Sequence, residues 1–277
     1  MIVAPPGNGR DPCQESAQLG SPLIEMENIS KVFKTPAGEF TALRDITACF
    51  YEGEFVSVLG RSGSGKSTLV NMLTGIDRPT TGTVCVRGEC IQNISESKMS
   101  AWRGRNLGIV FQFFQLLPTL TLLENVMLPM DFCKVFPPDE RPDRAMELLR
   151  LVQLEKFADK LPAAVSGGQQ QTAAIARALA NDPPILIADE PTGNLDSQTA
   201  EAVFSIFTRL VAQGKTILMV THDETLAEHT DRVLRLSDGR LVDDYRQLPQ
   251  WREAAGFPQS TPALRRLPQT PSSGAGL

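Results

Sequence analysis

The apolar run Phe55-Val-Ser-Val-Leu59 gives way at once to Gly60-Arg61-Ser62-Gly63-Ser64-Gly65-Lys66-Ser67, which satisfies G-x-x-x-x-G-K-[ST]. The pattern demands a strand, a loop that curls on its glycines, and a helix directly after. The segment from Thr68 to Leu73, with Gly75 as its C-cap, supplies the helix. Such a loop turns several backbone N–H groups inward and sits at a helix N-terminus, so its natural occupant is an anion of the phosphate type. On this reading the residues from Gly60 to Thr68 cradle a nucleotide triphosphate, Lys66 bridges its β- and γ-phosphates, and the Ser67 hydroxyl ligates magnesium. A flexible Gly/Ser loop is the bland alternative, and the strand before and helix after argue against it.

Two more apolar runs, Ile185-Leu-Ile-Ala188 and Ile217-Leu-Met-Val220, are continuous rather than alternating, as expected of parallel strands covered on both faces. They end in Asp189-Glu190 and in Thr221-His222-Asp223. Ligands of open α/β sheets bind beyond the carboxyl ends of the strands, so all three segments are expected to meet at one site. There Asp189 would hold the magnesium shell and Glu190 would orient and deprotonate an attacking water. Around this centre, Leu23 to Phe33, Phe40 to Phe50 and Thr83 to Ile91 read as shorter antiparallel strands, and Val233 to Val242 as a hairpin. Apolar spacing predicts a helix over Asp143 to Val152, and the section from about 112 to 165 reads as a helical insertion. The expected fold is therefore α/β: a mainly parallel sheet with an N-terminal antiparallel β subdomain and an inserted helical subdomain.

Composition narrows the function. The net charge of −5 argues against a surface adapted to nucleic acid. No apolar run approaches the roughly 18 residues that span a bilayer, and the start lacks a secretory layout, so a cytoplasmic chain with no membrane span is expected. The five cysteines include no CxxC pair and point to neither a zinc site nor a disulfide framework. Residues 1–22 read as a disordered leader. Residues 246–277, Pro-rich with four arginines against one acid, read as a disordered tail, either without a task or docking weakly on a partner or anionic lipid.

Val165-Ser166-Gly167-Gly168-Gln169, ahead of the run from Gln170 to Ala180, resembles the LSGGQ signature of ATP-binding-cassette (ABC) ATPases, with valine for the usual leucine. Ser166 is a natural N-cap that would turn its hydroxyl and the helix N–H groups toward an anion. The resemblance spans 23–245 and implies an ATPase that works as a homodimer, two ATP molecules being sandwiched between phosphate loops and opposing signatures. It further implies that Phe33 stacks on adenine, although a core phenylalanine is the other reading. Gln112 would reach magnesium and water and link the site to the helical subdomain that contacts a membrane partner. The loop Asn194-Leu195-Asp196 would cross the dimer interface, and His222 would contact the γ-phosphate and hold Glu190 and water. Thr172 departs from the arginine common in the family, losing a charge but no phosphate ligand.

The phrasing of LGIVFQFFQLLPTLTLLENVMLP and ADEPTGNLDSQTA is similar to the bacterial branch that serves lipoprotein release, macrolide and antimicrobial-peptide export, and cell division. The implied function is to bind and hydrolyse ATP and so power a separate membrane permease from the cytoplasmic face of the inner membrane. The alternative is a regulatory cassette that couples ATP binding to a cell-division or wall-remodelling complex without moving a solute. A cassette of translation or DNA repair is disfavoured, because only 53 residues separate Gln112 from Ser166 and leave no room for a long coiled-coil insertion.

Overall fold

Three strands carry the centre of the molecule: β3 (Phe55–Leu59), β7 (Ile185–Asp189) and β8 (Thr216–Thr221), nearly every residue of which is buried. The computed structural model describes residues 21–36 and 38–254. With β6 (Leu107–Val110), β9 (Arg232–Ser237) and β10 (Arg240–Arg246) the three strands form a six-stranded sheet in the order β10-β9-β3-β8-β7-β6. Its inner pairs are parallel and the β9/β10 edge is an antiparallel hairpin. A second sheet, built from β1 (Ile24–Thr35), β2 (Gly38–Phe50), β4 (Thr81–Val86) and β5 (Glu89–Cys90), is antiparallel in the order β2-β1-β4-β5.

The unbroken apolar runs follow from this layering, because alternate residues of one strand serve opposite cores. Ile185, Ile187, Leu218 and Val220 join a core shared with the antiparallel sheet, α1 (Lys66–Leu73) and α2 (Glu96–Asn106). Leu186, Ala188, Ile217 and Met219 face the other way, into a core with α3 (Leu122–Cys133), α4 (Arg141–Leu151), α5 (Gly167–Ala178) and α6 (Ser197–Ala212). Phe55 anchors that second core, stacked on Phe204 at 5.2 Å between ring centroids and edge-on to Phe207 at 6.3 Å. Each such buried aromatic contributes about 1.5–3 kcal/mol by area alone. These layers fix the strand ends, and therefore the loops beyond them, with little freedom.

Helices begin earlier than the sequence pattern predicts. α1 starts at Lys66 rather than Thr68, because Gly65 at φ 105° turns the chain straight into it. A Cβ at Gly65 would lie 2.6 Å from the Ala42 carbonyl oxygen, so only glycine fits. α5 starts at Gly167 rather than Gln170, because Ser166 and Gln169 cap each other: the Ser166 Oγ accepts from the Gln169 N–H at 3.2 Å, and the Ser166 N–H donates to Gln169 Oε1 at 2.9 Å.

Two expectations need correction. Cys85 and Cys90 face each other across the Arg87-Gly88 turn between β4 and β5 and are joined by a disulfide. Hairpin register, which puts i opposite i+5 across a two-residue turn, creates this pair without any CxxC spacing. In the tail expected to be disordered from 246, the described part is packed as far as Arg252, and residues 255–277 lie outside the described residues. Gln247 donates to the carbonyl oxygens of Ala227 at 2.6 Å and Thr230 at 2.8 Å. In the helix Gln250–Ala254, the Trp251 indole donates to the His229 carbonyl at 2.8 Å, and Arg252 pairs with Asp231. Asp231 is buried, where its Oδ2 accepts from the Phe55 N–H at 2.8 Å, and a buried carboxylate needs a cation. The expected leader falls almost wholly outside the described residues.

Candidate active site

The carboxyl ends of β3, β7 and β8 open on a cavity of about 850 Å³. Gly60, Arg61, Ser62, Gly63, Gly65, Lys66, Ser67 and Thr68 form its floor, and Glu190, His222 and Gln112 reach its wall. The three strand-end segments thus meet as the sequence predicts. The loop that carries Gly60 is tightly held, since a Cβ there would lie 2.5 Å from the Leu236 carbonyl oxygen. The Lys66 ammonium donates to the carbonyl oxygens of Gly60 at 2.7 Å and Arg61 at 3.1 Å and stands 3.7 Å from Glu190 Oε1.

Glu190 is held from several directions. Its backbone is left-handed at φ 48°, its N–H donates to the Val220 carbonyl at 2.9 Å, and its Oε2 lies 2.8 Å from His222 Nδ1. A left-handed glutamate costs about 1–3 kcal/mol, a strain that persists at sites where geometry matters more than stability. Asp189, one residue earlier, ends β7 with Oδ1 buried and without a hydrogen-bond partner. Burial pushes its carboxyl above the ordinary aspartate range; the Ser67 hydroxyl pulls it down, Glu190 adds upward pressure and Lys66 opposes it. An orphaned carboxylate oxygen beside a serine hydroxyl is a donor set that suits a hard divalent cation. Among the described residues no cluster of three His, Cys, Asp or Glu could hold a metal alone, so the cation's other ligands would have to be phosphate and water.

Gln112 follows β6, and its carbonyl accepts from the Asn194 side chain at 3.2 Å, which ties it to the loop after the paired acids. Asp196 of that loop does not line the cavity. It caps α6, accepting from the Thr199 N–H at 3.1 Å and from the Thr199 hydroxyl at 2.7 Å, bonds that hold its carboxyl below the usual range. Ser166, Gly167, Gly168 and Gln169 are likewise outside the cavity, at the start of α5, where the Thr172 hydroxyl donates back to the Gly168 carbonyl at 2.7 Å. Ser64 is buried inside the loop turn, its N–H donating to the Arg61 carbonyl at 3.1 Å. Phe33 is directly opposite Phe40 in the β1/β2 ladder, and it is Phe40 that lines the cavity. Phe33 instead carries the Lys31 ammonium 5.0 Å over its ring.

The sequence pattern missed two other wall residues, Glu224 and Arg235, which pair at 3.0 Å. Arg235 arrives through the parallel register that sets it beside Leu59, a relation that no linear motif encodes.

Comparisons with known proteins place the chain in a family. Residues 43–193 match the family described as ABC transporter. An uncharacterised ABC transporter ATP-binding protein of Thermotoga maritima is 44% identical over 219 residues, covering 79% of this chain and 93% of that protein. The macrolide export ATP-binding/permease protein MacB 1/2 of Paracoccus denitrificans is 40% identical over 230 residues, 83% of this chain but 34% of that longer protein. Among solved structures, the ATP-binding cassette MJ0796 of Methanocaldococcus jannaschii, dimeric in a post-hydrolysis state with ADP and Pi, superposes with a TM-score of 0.75 at 40% identity. That match covers 80% of this chain and 98% of that one. The chain therefore belongs to the ABC transporter family, as an ATP-binding protein and an ATPase.

Proposed function

We propose that two copies of this chain bind ATP and magnesium between them, close, and drive a permease carried on another chain to export or extrude its cargo, reopening after hydrolysis. The observation that carries this reading is a division of the site. The phosphate loop, Glu190 and His222 converge on one cavity, whereas Ser166 to Gln169 and Asp196 remain outside it. A chain with these expected nucleotide contacts outside its own cavity needs a second chain to complete them. The dimer reported for MJ0796 and the export named for the MacB relative support the reading. No described helix is long and apolar enough to cross a membrane, which fits a permease on a separate chain and attachment through it at the cytoplasmic face of the inner membrane.

In this mechanism Gly60, Arg61, Ser62, Gly63, Gly65 and Thr68 cradle the phosphates, with the Ser64 backbone closing the loop, and Lys66 leaves its carbonyl partners for the β- and γ-phosphate oxygens. Ser67, Asp189 and Gln112 would hold magnesium, which when bound would neutralise charge on the transferring phosphoryl group. Glu190 accepts the proton of the attacking water through the oxygen that faces Lys66, while His222 steadies the other oxygen at 2.8 Å. Phe40, opposite Phe33 in the β1/β2 ladder, offers the adenine a flat apolar wall. From the opposing copy, Ser166 donates its hydroxyl proton, its lone pair being taken by Gln169, and the N–H groups of Gly167 and Gly168 point at the γ-phosphate. Co-purification from detergent-solubilised membranes tests the permease: a membrane protein held in stoichiometric amount supports the reading, and an ATPase recovered only as a free soluble dimer overturns it.

A further inference from the structure

The loop after β6 holds two consecutive side-chain-bearing residues in left-handed backbone, Phe114 at φ 33° and Gln115 at φ 51°, and the Gln115 N–H folds back onto the Phe113 carbonyl. Neither residue is glycine or asparagine, so the conformation needs an outside restraint. Arg177, near the end of α5, supplies one: its guanidinium donates to the Phe114 carbonyl at 2.7 Å and to the Gln115 carbonyl beside it. A planar fork that grips two successive carbonyls fixes both peptide planes at once. The same helix reaches the loop elsewhere. Gln171 is aimed at the Phe111 carbonyl, at 3.5 Å, and the Phe114 ring packs on Gly167, where an added Cβ would lie 3.6 Å from it. Gln112 sits between these anchors, three residues before the strained pair ends.

We infer that Arg177 is a positioning residue for hydrolysis: its clamp on Phe114 and Gln115 holds the loop in its strained shape and so sets Gln112 at the cavity wall and Phe114 against the signature glycine. The clamp ties the phosphate side of one site to the helix that serves the opposing site, so that one strained turn registers both. Burial, which pulls the Arg177 guanidinium below its ordinary range, adds to the demand that both carbonyls stay in place. The inference rests on the reading of Gln112 as a residue that meets magnesium and water.

Steady-state ATP hydrolysis by the full chain tests it, with the ATP KM and the magnesium dependence read alongside kcat. Arg177→Met should lower kcat about 10- to 100-fold, the cost of misplacing a positioning group, with the ATP KM within about twofold and the half-saturating magnesium concentration raised. Gln115→Gly alone should stay near wild type, because glycine adopts the left-handed turn freely. The double variant Arg177→Met, Gln115→Gly should recover about tenfold of the lost kcat, since the turn no longer needs the clamp. A merely structural arginine would lower the melting temperature without this rescue. Wild-type kcat in Arg177→Met, or a double variant as slow as the single one, overturns the proposal. Should Arg177→Met fail to fold, Arg177→Lys, able to reach one carbonyl, carries the same comparison with Gln115→Gly. Gln112→Ala separates the two readings. Wild-type turnover in that variant removes the role of Gln112, whereas a slow Gln112→Ala beside an unimpaired Arg177→Met removes the clamp alone.

Discussion

Glu190 illustrates how a single residue trades stability for position. Its backbone strain and its proximity to Asp189 both disfavour it, and the bonds to Val220 and His222 retain it. Glu190→Gln keeps the size and the hydrogen bonding but removes the base. Turnover should fall by about 10²- to 10⁴-fold, while ATP still binds and gel filtration shows an ATP-dependent dimer. Asp189 behaves differently. Its carboxyl is raised in the folded protein, so the native state keeps a proton that the unfolded chain has already lost. The nucleotide-free protein therefore loses stability as pH rises from the ordinary aspartate value through the raised one. Asp189→Asn should raise the melting temperature of the nucleotide-free chain near neutral pH and abolish the further rise given by magnesium and ATP, both read from thermal melts. At this scale the phosphate loop, Asp189, Glu190 and His222 were legible, because each motif is contiguous and its chemistry fixes the residue type. Arg235, Glu224 and Arg177 were not, since sheet register and helix packing bring them in from distant parts of the chain.

At the scale of elements, legibility followed periodicity. The runs of β3, β7 and β8 announced themselves because both faces are buried, and α4 because Ala145, Leu148 and Leu149 share one face. α2 buries only Met99 and Trp102 among polar neighbours and so shows no clean helical pattern, whereas α3 shows one but carries Pro129 in its interior. α3 forms nonetheless, since Thr121 and Glu124 cap its start reciprocally and Leu122, Val126 and Met130 are buried along one face. In the described part of the tail, proline-rich composition likewise hides one arginine with a buried carboxylate to meet. A chain ending after Arg246 would leave Asp231 without that cation. Losing one partner of a buried pair costs about 3–5 kcal/mol, which for a domain of this size lowers the melting temperature by on the order of 10 °C. The ATP KM should stay unchanged, because Arg252 binds at the start of β3 and the nucleotide cavity opens at its other end.

At the scale of the whole molecule, the two cores hold the strand ends rigidly while the start of α5 lies outside the cavity on which those ends open. The fold class was readable from the order of the motifs, whereas the division of the site between two faces of one chain was implied only by the family resemblance. That division has a consequence for genetics. A chain with Lys66→Ala lacks a working phosphate loop but keeps a sound signature, and a chain with Ser166→Arg has the opposite defect. Neither should hydrolyse ATP alone. Mixed in equal amounts, they pair at random under two-fold symmetry, so half of the dimers contain one intact site and turnover should return to about a quarter of wild type. The two lesions are alleles of one gene that complement each other, and a Lys66→Ala copy expressed beside the normal gene would tie up a normal signature against its own dead phosphate loop while leaving the site on the normal loop intact.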